Sequence, residues 1–237
     1  WYCPSRTVLS LNGKYTENDA GLNELGGDLG YIQEREKTDA NEKKKIDPVI
    51  LKESKELTVE GNENIGAIVY GYSAPEVDTE QFYAMEVISS YLNGMDGELY
   101  RRFRHEQGLT YHAEFFYAPM YYKEAPFGAF ILKTVPQHMD IIISGINEII
   151  NKLQTEGIPE AELNEIINGI QEERKILSED MWFDSFRNGL YRSFNWRFLK
   201  DEFYFKNLKK VTPEKIKNVA QKYFKHAILV KVIPKKL

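Results

Sequence analysis

Hydrophobic positions recur along most of the chain at one of two periods, two for strands and three to four for helices, and the changes of period mark the elements. Arg6 to Leu11, β-branched and apolar and stopped by Asn12-Gly13, predicts a strand. Thr16 can cap a short helix over 16–29 that carries Ala20, Leu22 and Leu25 and stops at Gly26-Gly27. Between Gln33 and Lys55 the pattern lapses into Glu34, Arg35, Glu36, Lys37 and Lys43-Lys44-Lys45, with almost nothing apolar before Ile46. Such a run cannot bury enough apolar area to offset its ordering entropy, and it reads as a linker whose lysines form a solvated patch.

Beyond the linker the periods are clear. Leu57–Val59 and Ile65–Tyr72 are expected to be strands. Asp78 with Gln81 has the spacing of a capping box, and Phe82, Met85, Ile88 and Leu92 mark the inner face of the helix that follows. A second short helix starts near Asp96, turns Leu99 and Phe103 inward and ends at Gly108. Tyr111–Ala118 and Phe127–Thr134 read as paired strands around Pro119 and Pro126. The strongest helical pattern is Met139, Ile142, Ile143, Ile146, Ile149, Ile150 and Leu153, broken at Gly157 and Pro159. Leu163, Ile166, Ile167, Ile170 and Leu177 repeat it, an aromatic helical stretch from Trp182 to Trp196 follows, Thr212 caps a last helix, and Ala227–Ile233 closes as a strand. Strands arriving in pairs argue against a doubly wound parallel fold. The order predicts an α+β fold, a two-layer sandwich of a mainly antiparallel sheet packed against helices.

Composition narrows the class. At 237 residues, 42% apolar and 28% charged, the chain is long enough for a self-sufficient core. A mean hydropathy of −0.49 and the lack of an unbroken apolar run near 18 to 20 residues exclude a membrane-spanning helix. The single Cys3 excludes a disulfide scaffold and points to a reducing, cytoplasmic setting. A net charge of −5 argues against a dedicated nucleic-acid binder. The opening Trp1-Tyr2-Cys3-Pro4 in place of Met is expected of an excised or processed piece.

No complete active site is legible. None of His105, His112, His138 and His226 stands in a His-x-x-Glu-His or His-x-x-His arrangement that would aim two imidazoles at one zinc ion. There is no Gly-x-Ser-x-Gly elbow and no phosphate-binding glycine loop. One segment stands out, Gly97-Glu98-Leu99-Tyr100-Arg101-Arg102-Phe103-Arg104-His105-Glu106-Gln107-Gly108-Leu109-Thr110-Tyr111. A tyrosine hydroxyl can donate to a carbonyl oxygen as it becomes an oxyanion, and such a donor is worth roughly 3 to 4 kcal/mol. Arginine keeps its proton and offers a planar fork to a carbonyl or carboxylate. With Gly108 ending the helix sharply, Arg104 and Tyr111 can face one cavity. The competing reading makes Arg104 a helix C-terminal cap and Tyr111 an ordinary strand aromatic. Arg101, Arg102 and His105 read as a solvated face, and the aromatics from Trp182 to Phe198 mostly as core.

Leu99, Tyr100, Arg104, Gly108, Leu109 and Tyr111 resemble the Leu-Phe-x-x-x-Arg-x-x-x-Gly-Leu-x-Tyr segment of M16, or insulinase- and pitrilysin-like, zinc metallopeptidases. Tyr2 to Lys14, Gly157 to Leu163, and Val211 to Ile216 with the final strand are similar to further parts of the same family. The resemblance implies an M16 half-repeat: residues 1–32 as the terminal strand and helix of a preceding half-repeat, 33–55 as linker and 56–237 as the C-terminal α+β domain. It also implies a non-catalytic, substrate-positioning half of a zinc metalloendopeptidase, inactive alone, with Arg104 and Tyr111, seven residues apart, as its catalytic contribution. No cofactor is implied in this chain. Zinc belongs to a partner, the N-terminal zinc-binding half, in the same chain or a separate subunit, and the substrate is a peptide. The alternative is an inactive M16-like structural or interaction subunit, as in the core proteins of the respiratory cytochrome bc1 complex. An unrelated α+β ligand-binding domain is a third reading, tested by whether the strands at 111–118 and 127–134 pair beside the strand at 65–72.

Overall fold

A computed structural model describes residues 7–14, 16, 50–77, 79–117, 119, 125–193 and 201–235. Five strands form one sheet: β1 (Lys55–Gly61), β2 (Gly66–Ser73), β3 (His112–Tyr117), β4 (Phe127–Thr134) and β5 (Ala227–Pro234). Their order is β1-β5-β2-β4-β3, with β1 parallel to β5 and every other pairing antiparallel. The expected pairing of β3 with β4, and of β4 with β2, is therefore present, in a mixed sheet that is mainly antiparallel. The helices are α1 (Glu80–Leu92), α2 (Met139–Thr155), α3 (Glu160–Glu179), α4 (Met181–Ser193), α5 (Asp201–Leu208) and α6 (Pro213–Tyr223), with a π-helical segment at Tyr100–Glu106 and a 3-10 turn at Pro136–His138.

The chain divides into two units. Trp1–Lys45 groups with Gln171–Tyr204, and Ile46–Ile170 with Phe205–Leu237. The second unit holds the sheet. Period-two alternation turns Ile68, Tyr70 and Tyr72 of β2 to one face, in register with Leu132, Phe130 and Gly128 of β4, and Phe115 of β3 lies opposite Phe130. Rings of Tyr72, Phe115 and Phe130 meet Phe224, which follows α6, at centroid separations of 5.0, 5.9 and 6.2 Å. Over the same face, α2 buries Ile142, Ile146, Ile149, Ile150 and Leu153, the three-to-four spacing read from the sequence. Asn147 of α2 accepts a hydrogen bond from the Tyr70 hydroxyl at 3.2 Å.

Phe103, on the π-helical segment, is fully buried against α2. A Cβ on Gly145 of α2 would sit 2.6 Å from its ring, so the absence of a side chain at 145 is what lets Phe103 enter. Arg102 forms an ion pair with Glu148 one helical turn further along α2. These contacts fix the segment to the core.

Some expectations change. Thr79, not Asp78, caps α1, its hydroxyl accepting from Phe82 N–H at 3.2 Å; Asp78 lies outside the described residues. Thr7–Asn12 carry no strand, because no described strand of their unit lies beside them; the Asn12 amide instead donates to Asp184 of α4 at 3.0 Å. Residues 17–29 of the expected helix and 33–49 of the expected linker fall outside the described residues. In the aromatic stretch Tyr191 is buried, but Trp182 and Phe186 are 72% and 46% exposed and stack on each other at 5.5 Å, since both sit on the outer side of α4. Among the described residues no helix is long and apolar enough to cross a membrane.

Phe103→Ala is expected to lower unfolding free energy by about 3 to 5 kcal/mol, because the Gly145 notch leaves a void that the rigid helix cannot close. Chemical denaturation followed by circular dichroism measures it.

Candidate functional site

The helix that carries Arg104 is wound more widely than an ordinary α-helix, and it ends in a turn held from both sides. Gly108 adopts φ +63°, the left-handed conformation that glycine takes without strain. Its N–H bonds the Arg104 carbonyl at 3.2 Å, and Leu109 N–H reaches back to the Phe103 carbonyl at 2.8 Å. Two buried threonines then join the turn to β4. Thr110 Oγ1 lies 2.5 Å from the Lys133 carbonyl, to which it donates, and accepts from His112 N–H at 3.1 Å. Thr134 Oγ1 donates to the Leu109 carbonyl at 2.6 Å. On the other edge of β3, the Asn93 side chain imitates a neighbouring strand, accepting from Phe115 N–H and donating to the Phe115 carbonyl, both at 2.8 Å.

This framework delivers Tyr111 to the residue before β3, one position outside the strand expected to contain it. Arg104 Nη1 donates to the Tyr111 carbonyl at 3.3 Å, and its guanidinium lies over the Tyr100 ring at 5.0 Å. The structure thus brings the predicted pair together, with the Arg104 side chain bonded to the Tyr111 backbone. Tyr111 is 86% exposed, and among the described residues its hydroxyl bonds to no other group. Arg104 does not cap its own helix with its side chain; the helix end is closed by the backbone of Gln107 and Gly108.

The three arginines of the segment differ in charge balance. Arg101 pairs with Glu98 and, at 2.8 Å, with Glu106; Arg102 pairs with Glu148. Among the described residues Arg104 pairs with no carboxylate. Arg101 and His105 are exposed and Arg102 is half-buried, as expected of a solvated face, and both arginines hold carboxylates on it. Nearby, Tyr91 is buried at the end of α1, and burial, then the Glu98 and Glu162 charges, push its phenol up to about 12. Among the described residues no three His, Cys, Asp or Glu side chains come together as a metal ion requires. His112 and Glu114 approach to 3.4 Å as a pair only.

A family model described as the Peptidase M16 inactive domain matches residues 1–170. The chain belongs to this M16 family. No curated protein matches it significantly. Among solved structures, the chain resembles a conserved protein of Enterococcus faecalis, with a TM-score of 0.72 and 15% identity over 92% of this chain and 50% of that one. A protease of Helicobacter pylori gives 0.67 and 18% over 80% and 45%. A peptidase M16 inactive domain of Pseudomonas fluorescens gives 0.65 and 14% over 78% and 44%. At these identities the likeness is one of fold, and the M16 chain described here spans about half the length of these relatives.

Sequence reading missed Thr110, Thr134 and Asn93, which hold the M16 segment in place. Thr110 offered a signal, a hydroxyl two residues after a left-handed glycine, but the Lys133 carbonyl it bonds is distant in sequence. Thr110→Val is expected to destabilise the fold by about 1 kcal/mol, since it removes the hydrogen bond from the buried Thr110 hydroxyl to the Lys133 carbonyl; thermal denaturation tests this. Tyr91 stabilises the fold below pH 10, where its phenol is neutral in both states. That contribution is expected to be lost as pH rises from about 10 toward 12, because the unfolded phenol ionises first. Alkaline unfolding of Tyr91→Phe beside the parent checks the sign, with a smaller loss in the variant.

Proposed function

We propose that this chain is the substrate-positioning half of an M16 peptide hydrolase, acting with a separate half that binds zinc and carries the attacking water. The observation that carries the reading is the contrast at the end of the π-helical segment. Arg101 and Arg102 are neutralised by carboxylates, whereas Arg104, which pairs with no carboxylate among the described residues, donates to the backbone carbonyl of Tyr111, an exposed tyrosine. A self-sufficient fold gains little from exposing that phenol, and a site completed by a second body gives it a role.

In the assembled enzyme the Tyr111 hydroxyl donates to the scissile carbonyl oxygen as negative charge develops there. Arg104 holds the Tyr111 backbone and adds positive potential at the same place; its uncommitted donors are available to a peptide carbonyl. Among the described residues no group of side chains fits a metal ion, and the proposal assigns the zinc of the resemblance to the other half. A peptide is the substrate because the M16 relatives include proteins described as proteases.

The test is Tyr111→Phe in the assembly of this chain with its zinc-binding half. Steady-state hydrolysis of a fluorogenic peptide is expected to show kcat reduced roughly 100-fold or more, with KM and melting temperature little changed. An unaltered kcat removes Tyr111 from the chemistry.

A further inference from the structure

Gly71 stands in the centre of the sheet, on β2, opposite Ala129 of β4 on one side and Ile228 of β5 on the other. A glycine there gives up cross-strand packing and loses backbone freedom on folding. Other glycines of the sheet are explained by their neighbours: a Cβ on Gly66 would come within 2.8 Å of the Val232 carbonyl, and one on Gly128 within 2.6 Å of the Phe115 ring. Gly71 has no such constraint. Its φ lies outside the left-handed region, and an added Cβ would meet only the Ile228 carbonyl, at 3.8 Å.

What the missing side chain does is leave space. A cavity of about 350 Å³ lies over Gly71, walled by Leu51, Tyr72, Pro126, Phe127 and Ile228, within the size range of small-ligand sites. Tyr72 turns its ring into the core against Phe130 and Phe224. Ser73 at the rim already accepts the Leu51 N–H at 2.9 Å. The cavity therefore suits an apolar group. A second cavity of about 290 Å³ shares Ser73 and Pro126 with the first and is bordered by Glu76, Thr79 and Lys222, which carry both signs of charge and a hydroxyl. An apolar cavity adjoining a polar one at Ser73 and Pro126 matches a peptide, whose apolar side chain is attached to amides and flanked by polar residues. A simple hydrophobe would use only the first.

We propose that the cavity over Gly71 is a subsite that takes one leucine- or phenylalanine-sized side chain of a bound peptide. The inference rests on the peptide chemistry proposed above, but not on Tyr111. The cavity lies at the Phe127 end of β4, whereas Tyr111 adjoins the other end, where His112 pairs with Lys133. The two are separated by roughly 20 Å at ~3.4 Å per strand residue.

Fluorescence anisotropy on the chain as it stands tests the subsite, with a labelled peptide of Ser, Lys and Glu carrying one central Phe, and the same peptide with Ser in its place. The Phe peptide is expected to bind at least about 10-fold more tightly. Gly71→Val is expected to abolish that preference while leaving the melting temperature equal or higher, since the β-branched side chain fills open space. Gly71→Ala, with its 3.8 Å clearance, should weaken the preference partially and serves if the larger variant does not fold. Equal binding of the two peptides by the parent overturns the proposal, as does a preference retained in folded Gly71→Val. Tyr111→Phe is expected to leave this binding unchanged, so loss of the subsite and loss of the hydrolytic role are read separately.

Discussion

The seating of Phe103 beneath α2 governs the geometry of the candidate site. Its ring enters a notch that exists because residue 145 has no side chain, and the whole π-helical segment is anchored by that contact and by Leu99 beside it. From this anchor the chain has only a short distance to reach β3. The Gly108 turn and the hydroxyls of Thr110 and Thr134 take up that distance with every bond directed to backbone of known position. Tyr111 is thus exposed without being loosely held, since its main chain is fixed on both sides while its phenol extends to solvent. A group meant to meet a second body needs this combination of fixed backbone and uncovered side chain.

Charge is distributed along the same few residues in a way that separates structure from recognition. Arg101 and Arg102 face carboxylates of their own unit and serve its packing. Arg104 stacks on Tyr100 and bonds the Tyr111 carbonyl, and its charge stays at the surface. The cavity over Gly71, at the other end of the sheet, has the opposite character, apolar and with its rim hydroxyl already engaged.

Much of the fold was legible because period is a local property. The isoleucine ladder of α2, the alternation of β2 and the paired β3 and β4 appear where the hydrophobic spacing put them. Arg104 and Tyr111 were legible through their spacing and family resemblance, and the structure brings them together. The details that position them were not. The seating of Phe103 against Gly145 and the threonine bonds join residues more than twenty positions apart. Likewise, the β-branched and apolar run from Arg6 to Leu11 announced a strand, but a strand exists only beside another, and no described strand of its unit lies beside Thr7–Leu11. The exposure of Trp182 and Phe186 escaped a reading that equates aromatic with core, because helical period gives spacing and not which face is covered.

The central claim is that Tyr111 completes a site only when a second body is present. Fluorine NMR of the chain carrying fluorotyrosine at 111 measures this directly. The account requires a narrow, solvent-like resonance in the chain alone, and a marked shift when the zinc-binding half and a peptide are both added. A resonance that keeps its solvent-like position in the complete, peptide-bound assembly would contradict it.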